Sequence, residues 1–249
     1  MKRYLPSFLS FLILTVLVEL LVRQGFISES LLPSPSAVFK TLGEFHEEFR
    51  QAFFETLLNV LAGLGLSIVL GSLVAFVFSL SDLMKKAILP FAIFFQTVPI
   101  IAIAPLLVIY FGFGSPTVIA SSFIVSVFPI IANTLMGLEN TSESQKDLFL
   151  LYQASRLQTL LKLKIPQAYS HIYSGIKVSA GLAIIGAIAG EFVGGGGLGA
   201  MIDSARTQQR VDIVFGALLL LSFMGLAFIA TLALVNKTIL SRRPFASLS

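Results

Sequence analysis

The chain has 249 residues, of which 56% are hydrophobic and 12% are charged, and its mean hydropathy is +0.91. This composition excludes an ordinary soluble domain and is typical of a protein with several membrane spans. The absence of cysteine excludes disulfides, thiolate metal sites and thiol nucleophiles, and two histidines are too few for a His-rich metal site. The net charge of +4 gives no support to a nucleic-acid partner.

Six apolar segments are long enough to cross a bilayer, which takes about 20 residues of helix. The first segment is preceded by a short basic stretch, but no small-residue cleavage site follows it. We therefore interpret it as a spanning helix and not as a signal peptide. The sequence predicts an all-α integral membrane protein with one domain, residues 1–249. The predicted spans are 4–22, 57–80, 87–111, 116–138, 172–193 and 213–235.

The distribution of Lys and Arg orients these spans, because cytoplasmic loops carry an excess of both residues. Eleven lie on the side of the two termini and five on the other side. Both termini and the loop 139–171 are therefore predicted to be cytoplasmic. The first group is Lys2, Arg3, Lys85, Lys86, Lys146, Arg156, Lys162, Lys164, Lys237, Arg242 and Arg243, and the second is Arg23, Lys40, Arg50, Arg206 and Arg210.

A polar segment with two prolines, Pro33 and Pro35, follows the first span. The prolines fix an extended turn, and Ser36 has the right position to cap a following helix. We expect that helix to be amphipathic and to lie along the outer membrane surface. Its apolar face consists of Val38, Leu42, Phe45 and Phe49.

The loop 139–171 is the longest polar interruption in the second half of the chain, yet it keeps helical apolar spacing. Ser155 and Gln158 have the S-x-x-Q spacing of a capping box, which predicts a helix from Arg156 to about Lys164. Pro166 is expected to end this helix, because a residue before proline is disfavoured in the helical conformation. Another short helix is predicted over 146–152. Two such helices need a burial partner; periodicity alone leaves a purely structural connector as the alternative.

The third predicted span contains QTVPIIAIAP, in which Pro99 and Pro105 each remove a helical hydrogen bond. Backbone groups freed in this way must be satisfied by protein or by a water-filled cavity. Polar side chains at similar depth predict a seam along a translocation pathway, while contacts between helices are the alternative explanation for each one. The seam residues are Gln96, Thr97, Asn133 and Ser179, together with Pro99.

Glu191 lies among glycines at the predicted outer end of the fifth span. A carboxylate at the bilayer centre costs roughly 2.5 to 3.5 kcal/mol, so we expect Glu191 at the interface or facing a protected aqueous path. One interpretation is that Glu191, Gly194 and Gly195 line or gate the outer end of the pathway, because glycine lets the chain flex. The alternative is an interfacial carboxylate at a helix end. Glu19 in the first span is expected to extend towards the interface.

The loop 139–171 resembles the EAA loop in permease subunits of bacterial ABC importers, which has an E-A-A triplet, a glycine and a closing I-x-L-P. Asp147 stands at the Glu position, Gln153 stands at the glycine position, and residues 163–166 read as I-x-L-P. Leu148 and Phe149 replace the two alanines. Gln carries a steric cost in the left-handed conformation that Gly does not, which argues against a left-handed turn at this position.

Three further stretches extend the resemblance over most of the chain. They are ASRLQ at 154–158, LLPSPSAVF before the second span, and GAIAGEFVGGGGLGAMI at the end of the fifth. All three are similar to the branch of ABC permeases that transports nitrate, sulfonates, taurine and thiamine precursors. GEFVGGGGLG reads slightly more like permeases for pyrimidine or other heteroaromatic vitamin precursors, but the sequence does not identify the solute.

The resemblance implies the type I ABC importer permease fold, in a multi-pass protein of the bacterial plasma membrane whose loop couples to a separate ATPase subunit. No cofactor is expected on this chain, and ATP and Mg would be bound by the ATPase. In agreement, the sequence has no G-x-x-x-x-G-K-[ST] phosphate loop. A second copy, a periplasmic or lipid-anchored solute-binding protein and membrane lipid are the other implied partners. The implied coupling residues are Asp147, Leu148, Leu151, Gln153, Ala154, Ser155, Arg156, Ile165 and Pro166.

The two alternative functions are a secondary transporter and a membrane-embedded enzyme. A secondary transporter driven by an ion gradient often has paired broken helices at the midplane, whereas here only the third span is clearly interrupted. A membrane-embedded enzyme needs acids, bases or nucleophiles clustered at one depth, whereas Glu19, Lys177 and Glu191 are dispersed along the sequence. We therefore expect a transport subunit without enzymatic activity of its own.

Overall fold

The computed structural model describes residues 5–81, 83, 90 and 97–241, which form helices joined by short connections. The first half contains α1 (Leu5–Arg23), α2 (Pro35–Glu44), α3 (His46–Phe78), α4 (Ile100–Phe111) and α5 (Ser115–Glu139). The second half contains α6 (Glu143–Leu151), α7 (Arg156–Thr159), a π-helical segment (Leu160–Lys164), α8 (Ile165–Gly194), α9 (Gly197–Thr207) and α10 (Val211–Ser241).

The predicted all-helical membrane fold is confirmed. Four stretches of the described chain are long and apolar enough to cross a bilayer: His46–Phe78, Ser115–Glu139, Arg156–Gly194 and Val211–Ile239. Helix α1 lies in the first predicted span, and α4 lies in the second half of the third. Gln96 and the first part of the third span lie outside the described residues, and the count of six spans stays a prediction.

The start of α2 differs from the sequence prediction. The N-cap is Ser34 and not Ser36: its Oγ accepts the N–H of Ala37 at 3.3 Å, while a proline occupies the first helical position. Ser36 instead donates its N–H and its hydroxyl to the Glu19 carboxylate, at 3.0 and 2.6 Å. Glu19, which also pairs with Arg23, therefore connects α1 to the first turn of α2.

The predicted amphipathic segment does not form one helix. It is divided where α2 ends at Glu44 and α3 begins at His46, so its second half is the first part of a long apolar helix. Helix α2 is also attached to α10, because Asp212 accepts a hydrogen bond from Thr41 at 2.7 Å and pairs with Arg210 at 2.7 Å. These bonds hold α2 across the ends of α3 and α10.

The centre of the fold is the close packing of α5 against α8. A Cβ atom at Gly186 would lie 2.7 Å from the carbonyl oxygen of Ser121, and one at Gly190 would lie 2.9 Å from the Cα of Val118. The two backbones can approach this closely because glycine has no side chain. Small residues at i and i+4 are a common basis of helix association in membranes, where lipid is as apolar as a Leu side chain.

Buried serine hydroxyls connect α3, α5 and α8. Ser179 on α8 donates to the carbonyl oxygen of Ser126 on α5 at 2.6 Å, and the hydroxyls of Ser126 and Ser67 lie 2.7 Å apart. All three serines are fully buried. An apolar cluster surrounds this contact and extends to α9 and α10; it contains Phe49, Ala52, Val60, Leu64, Val118, Ala180, Ala183, Ile184, Ala187, Leu198, Ile202, Ala217, Leu221 and Met224.

The glycine contact between α5 and α8 predicts a difference between two substitutions in α8. Gly186→Ala should lower the free energy of unfolding by about 1 to 3 kcal/mol, because the new methyl group overlaps the backbone of α5. Gly181→Ala is the matched control, since a Cβ at Gly181 meets no atom within 4 Å. The measurement is the thermal unfolding midpoint of the purified protein in detergent. Equal midpoints for the two variants would contradict the proposed contact.

Candidate functional site

The loop between α5 and α8 contains two short helices separated by a tight turn. At the end of α6, the N–H of Gln153 donates to the carbonyl of Leu150 and the N–H of Ala154 donates to that of Phe149, both at 2.9 Å. These two bonds form a Schellman motif, which needs a left-handed residue at its centre. Gln153 is that residue, with φ of +51°. The sequence argument against a left-handed turn was therefore wrong; the two backbone bonds offset a steric cost of roughly 1 to 2 kcal/mol.

The capping box at the start of α7 is confirmed. The Ser155 hydroxyl accepts the N–H of Gln158 at 3.2 Å, and the Gln158 side chain accepts the N–H of Ser155 at 2.8 Å. Both bonds satisfy amides that have no partner within a helix. The second helix of the loop therefore begins at Arg156, as predicted.

Pro166 does not end that helix, and this prediction was wrong. The helix continues through the π-helical segment into α8, and Ile165 keeps helical dihedral angles of −61° and −47°. In a regular α-helix, a proline ring collides with the carbonyl four residues earlier. Here the N–H of Ile165 donates to the carbonyl of Leu160, five residues earlier, so the wider turn repositions the carbonyls that would meet the ring.

The loop presents an apolar surface to solvent. Leu151 and Tyr152 are each 80% exposed, and a groove of about 300 Å³ lies between α6 and α7. Contiguous exposed apolar side chains of this kind mark an interaction surface. We call it the loop surface; its exposed members are Leu148, Leu151, Tyr152, Leu157 and Leu161.

All nine predicted coupling residues lie within this loop or at its junction with α8. Asp147, Leu148 and Leu151 project from α6, and the others follow the turn in chain order. Ala154 and Ile165 are half-buried, whereas the remaining seven are exposed: Asp147, Leu148, Leu151, Gln153, Ser155, Arg156 and Pro166.

At the other end of α8, Glu191 is fully buried. Its Oε2 accepts the N–H of Gly199 in the first turn of α9, at 2.7 Å. The next two acceptors come from α3: Glu55 Oε2 accepts the N–H of Gly197 at 3.0 Å, and the Thr56 hydroxyl oxygen accepts that of Leu198 at 2.9 Å. The first amides of a helix have no partner within it and carry a partial positive charge, so carboxylates stabilise them.

The glycines between α8 and α9 are required by this arrangement. Gly195, Gly196 and Gly197 all have positive φ, between +65° and +82°, which other residues rarely adopt. A Cβ at Gly199 would lie 2.7 Å from the Cβ of Glu191, so the buried carboxylate leaves no space for a side chain. Gly194 ends α8 and packs against Thr117 of α5.

Sequence reasoning identified Glu191 and missed Glu55 and Thr56. The available signal was topological, because the second predicted span begins next to Glu55 and shares its outer end with the fifth. The charge of Glu191 alone did not show that its partner would be a backbone amide in the first turn of another helix.

The predicted seam residues do not all meet in one place. Thr97 and Pro99 line a cavity of about 260 Å³ between the start of α4 and the middle of α5 and α8, whose walls include Ile124 and Leu182. Helix α4 begins only after Pro99, whose backbone is extended with ψ of 124°, so the described part of the third predicted span is not helical at that residue. Neither Ser179, which bonds to Ser126, nor Asn133 lines this cavity; Asn133 donates to the Pro129 carbonyl of its own helix at 2.8 Å.

Comparison with known proteins identifies the family of this chain. Residues 67–243 match the family described as the binding-protein-dependent transport system inner membrane component. The chain belongs to this family. A probable ABC transporter permease protein of Haemophilus influenzae is 34% identical over 215 residues, covering 86% of this chain and 88% of the relative.

The names of two further relatives state what those proteins transport. The formylaminopyrimidine transport permease protein ThiX of Halalkalibacterium halodurans is 32% identical over 238 residues, covering 94% of each chain. The putative aliphatic sulfonates transport permease protein SsuC of Bacillus subtilis is 26% identical over 226 residues, covering 88% of this chain and 80% of the relative. These matches confirm the ABC permease assignment and the branch, so the chain is a transport membrane component of an ABC system and not a secondary transporter.

The Glu191 arrangement predicts how α9 responds to substitution. Glu191→Ala should speed hydrogen exchange at Gly199 by roughly tenfold or more, because a buried amide left unsatisfied costs about 1 to 3 kcal/mol. Glu191→Gln keeps an oxygen acceptor and should have a smaller effect. Asp203→Ala is the matched control, since it removes an acid of α9 whose surface ion pair with Arg206 contributes little. If Glu191→Ala and Asp203→Ala left the same exchange rate at Gly199, the carboxylate would not hold that amide.

Proposed function

We propose that this chain forms, with a second copy of itself, the membrane pathway of an ABC importer that a separate ATPase subunit drives and a solute-binding protein supplies. The loop surface is the docking site for the ATPase. The observation that carries this proposal is a folded, capped loop with exposed leucines, attached directly to the two most closely packed helices. A connector without a partner would have no reason to expose Leu148, Leu151 and Tyr152.

The mechanical part of the proposal follows from the connections. Helix α6 begins four residues after α5 ends, and α7 continues without interruption into α8. A displacement of the loop by the ATPase therefore moves α5 and α8 together. Coupling requires the ATPase to bind the loop differently in the inward-open and outward-open states, because equal binding shifts no population.

The proposed orientation places the loop and both termini in the cytoplasm. It is supported by the full sequence, in which eleven Lys and Arg lie on the side of the loop and the termini and five lie on the other side, as the positive-inside rule requires. The glycine turn and α9 then lie on the outer side. On that side, Glu191, Glu55 and Thr56 hold α9 against α3 and α8, which would close the outer end of the pathway in this conformation.

For the pathway, we propose that the solute passes the cavity at Thr97 and Pro99. Gln96 and Asn133 contribute polar groups along the path. Ser179, Glu191, Gly194 and Gly195 act by holding the framing helices together. The proposed solute is a pyrimidine-type vitamin precursor, which is supported by the extent of the similarity to the formylaminopyrimidine permease.

The docking proposal predicts uncoupling by a charge on the loop surface. Leu148→Glu or Leu151→Glu should lower the solute imported per ATP hydrolysed by roughly tenfold or more, because an unpaired carboxylate buried in an apolar contact costs several kcal/mol. The ratio is measured in proteoliposomes that contain the permease, its ATPase and its binding protein. Leu148→Met and Gln153→Gly are controls, since the first keeps the apolar contact and the second favours the left-handed turn. A normal ratio in both charged variants would refute the docking surface.

The pathway proposal predicts that filling the cavity blocks uptake. Leu182→Trp should reduce the uptake of labelled formylaminopyrimidine by roughly tenfold, which corresponds to about 1.4 kcal/mol in the barrier. Ile185→Trp is the control, because Ile185 lies on the same helix but is exposed outside the cavity. Uptake is measured in cells that depend on the complete transporter.

The proposed solute and the proposed role of the cavity can be refuted independently of each other. No uptake of formylaminopyrimidine by the unaltered transporter would exclude the proposed solute. Uptake by the unaltered transporter and by Leu182→Trp at the same rate would exclude the cavity from the pathway.

A further inference from the structure

A second cavity, of about 320 Å³, lies between the end of α3 and the two helices of the loop. It is lined by Ser79 and Leu80, where the α3 span ends, and by Thr159 and Leu160 in the first turns of the long helix. It shares only Ala154 with the groove between Leu148 and Lys162 that belongs to the loop surface, and its other lining residues are different. The cavity therefore borders the level at which a spanning helix leaves the hydrocarbon.

Three cationic side chains line this cavity, and no acidic side chain lies among its lining residues in the described chain. Lys146 is engaged with Glu143 at 2.9 Å, and this hydrogen bond lowers the pKa of the Glu143 carboxyl. Arg156 and Lys164 form no ion pair within the described residues. Their positive charges face a common space in which the described residues provide no counter-ion.

The remaining wall of the cavity is apolar. Leu160 is buried, whereas Leu80 and Leu150 are exposed beside the cationic groups. A free inorganic anion would use the cations and leave this wall in contact with water. A phospholipid would use both parts, because its phosphate can bind Arg and Lys while its glycerol and first methylene groups cover the leucines.

We propose that this cavity binds the phosphate headgroup of an anionic phospholipid in the leaflet next to the loop. Arg156 and Lys164 bind the phosphate oxygens, and Leu80 and Leu160 contact the start of the acyl chains. Basic pockets beside spanning helices are known to recognise such headgroups. That this leaflet is the cytoplasmic one rests on the proposed function.

The position of the cavity makes lipid a better occupant than an acidic segment of the ATPase. Leu148 and Leu151, which form the proposed docking face, lie on the side of α6 that lines the other groove or faces solvent. Lys146 and Leu150 on the opposite side of α6 face the cavity and the end of α3. An occupant of the cavity would therefore be placed between the loop and the membrane.

The experiment compares two lysines of the same helical segment. Native mass spectrometry measures how much dioleoylphosphatidylglycerol the purified permease retains, relative to dioleoylphosphatidylcholine, for the unaltered chain, Lys164→Gln and Lys162→Gln. Lys164→Gln should weaken retention of the anionic lipid by roughly fivefold, as expected for one phosphate contact. Lys162→Gln removes the same charge outside the cavity and should change retention by less than about twofold. Arg156→Gln should behave like Lys164→Gln.

Several results would overturn the proposal. Equal retention of the two lipids, or equal losses in Lys164→Gln and Lys162→Gln, would indicate general surface attraction. Displacement of phosphatidylglycerol by millimolar inorganic phosphate would assign the cavity to a free anion. Loss of the lipid on addition of the ATPase would assign it to protein docking. Retention is measured on the isolated permease without transport, so its failure is distinguishable from failure of the coupling proposal.

Discussion

The close approach of α5 and α8 is the constraint on which the rest of this structure depends. Lipid provides no hydrophobic drive for helices to associate, so the contact relies on dispersion between backbones and on buried hydroxyl bonds. Gly186 and Gly190 allow the close backbone contact, and Ser179 forms the buried hydroxyl bond to Ser126. The loop connects these two helices, and the glycine turn follows one of them. Both candidate functional regions are therefore attached to the most extensive helix contact among the described residues.

At the two ends of α8, backbone groups that a regular α-helix cannot satisfy are accommodated in different ways. Near the loop, the π-helical segment redirects the carbonyls before Pro166, so that the helix passes through a proline. At the far end, the helix stops at glycines, and the first amides of α9, which have no partner within that helix, donate to oxygens of Glu191, Glu55 and Thr56. A buried carboxylate and a helix terminus are each unfavourable alone, and each satisfies the other here.

Much of the fold could be predicted from composition and apolar spacing, and so could the capping box at Ser155, because these features depend on nearby residues. The features that were not predicted depend on backbone hydrogen bonds or on partners distant in the sequence, and residue spacing shows neither. Gln153 adopts a left-handed conformation because two backbone bonds of α6 outweigh its steric cost. Pro166 is tolerated because a wider turn precedes it. Glu55 was missed because its partner amide, that of Gly197, lies 142 positions away in sequence.

The uninterrupted course of the chain from Arg156 to Gly194 has a geometric consequence. Its 39 residues, at about 1.5 Å each, make a rod roughly 58 Å long, almost twice the thickness of the hydrocarbon layer. A rotation of ten degrees about the midpoint of such a rod moves each tip by roughly 5 Å. At the distant tip, the N–H groups of Gly197 and Leu198 donate to Glu55 and Thr56 of α3 at 3.0 and 2.9 Å, so a tilt of that size relative to α3 exceeds the length of either bond. The bonds between α9 and α3 therefore lie at the end of the helix where a small tilt produces its largest displacement.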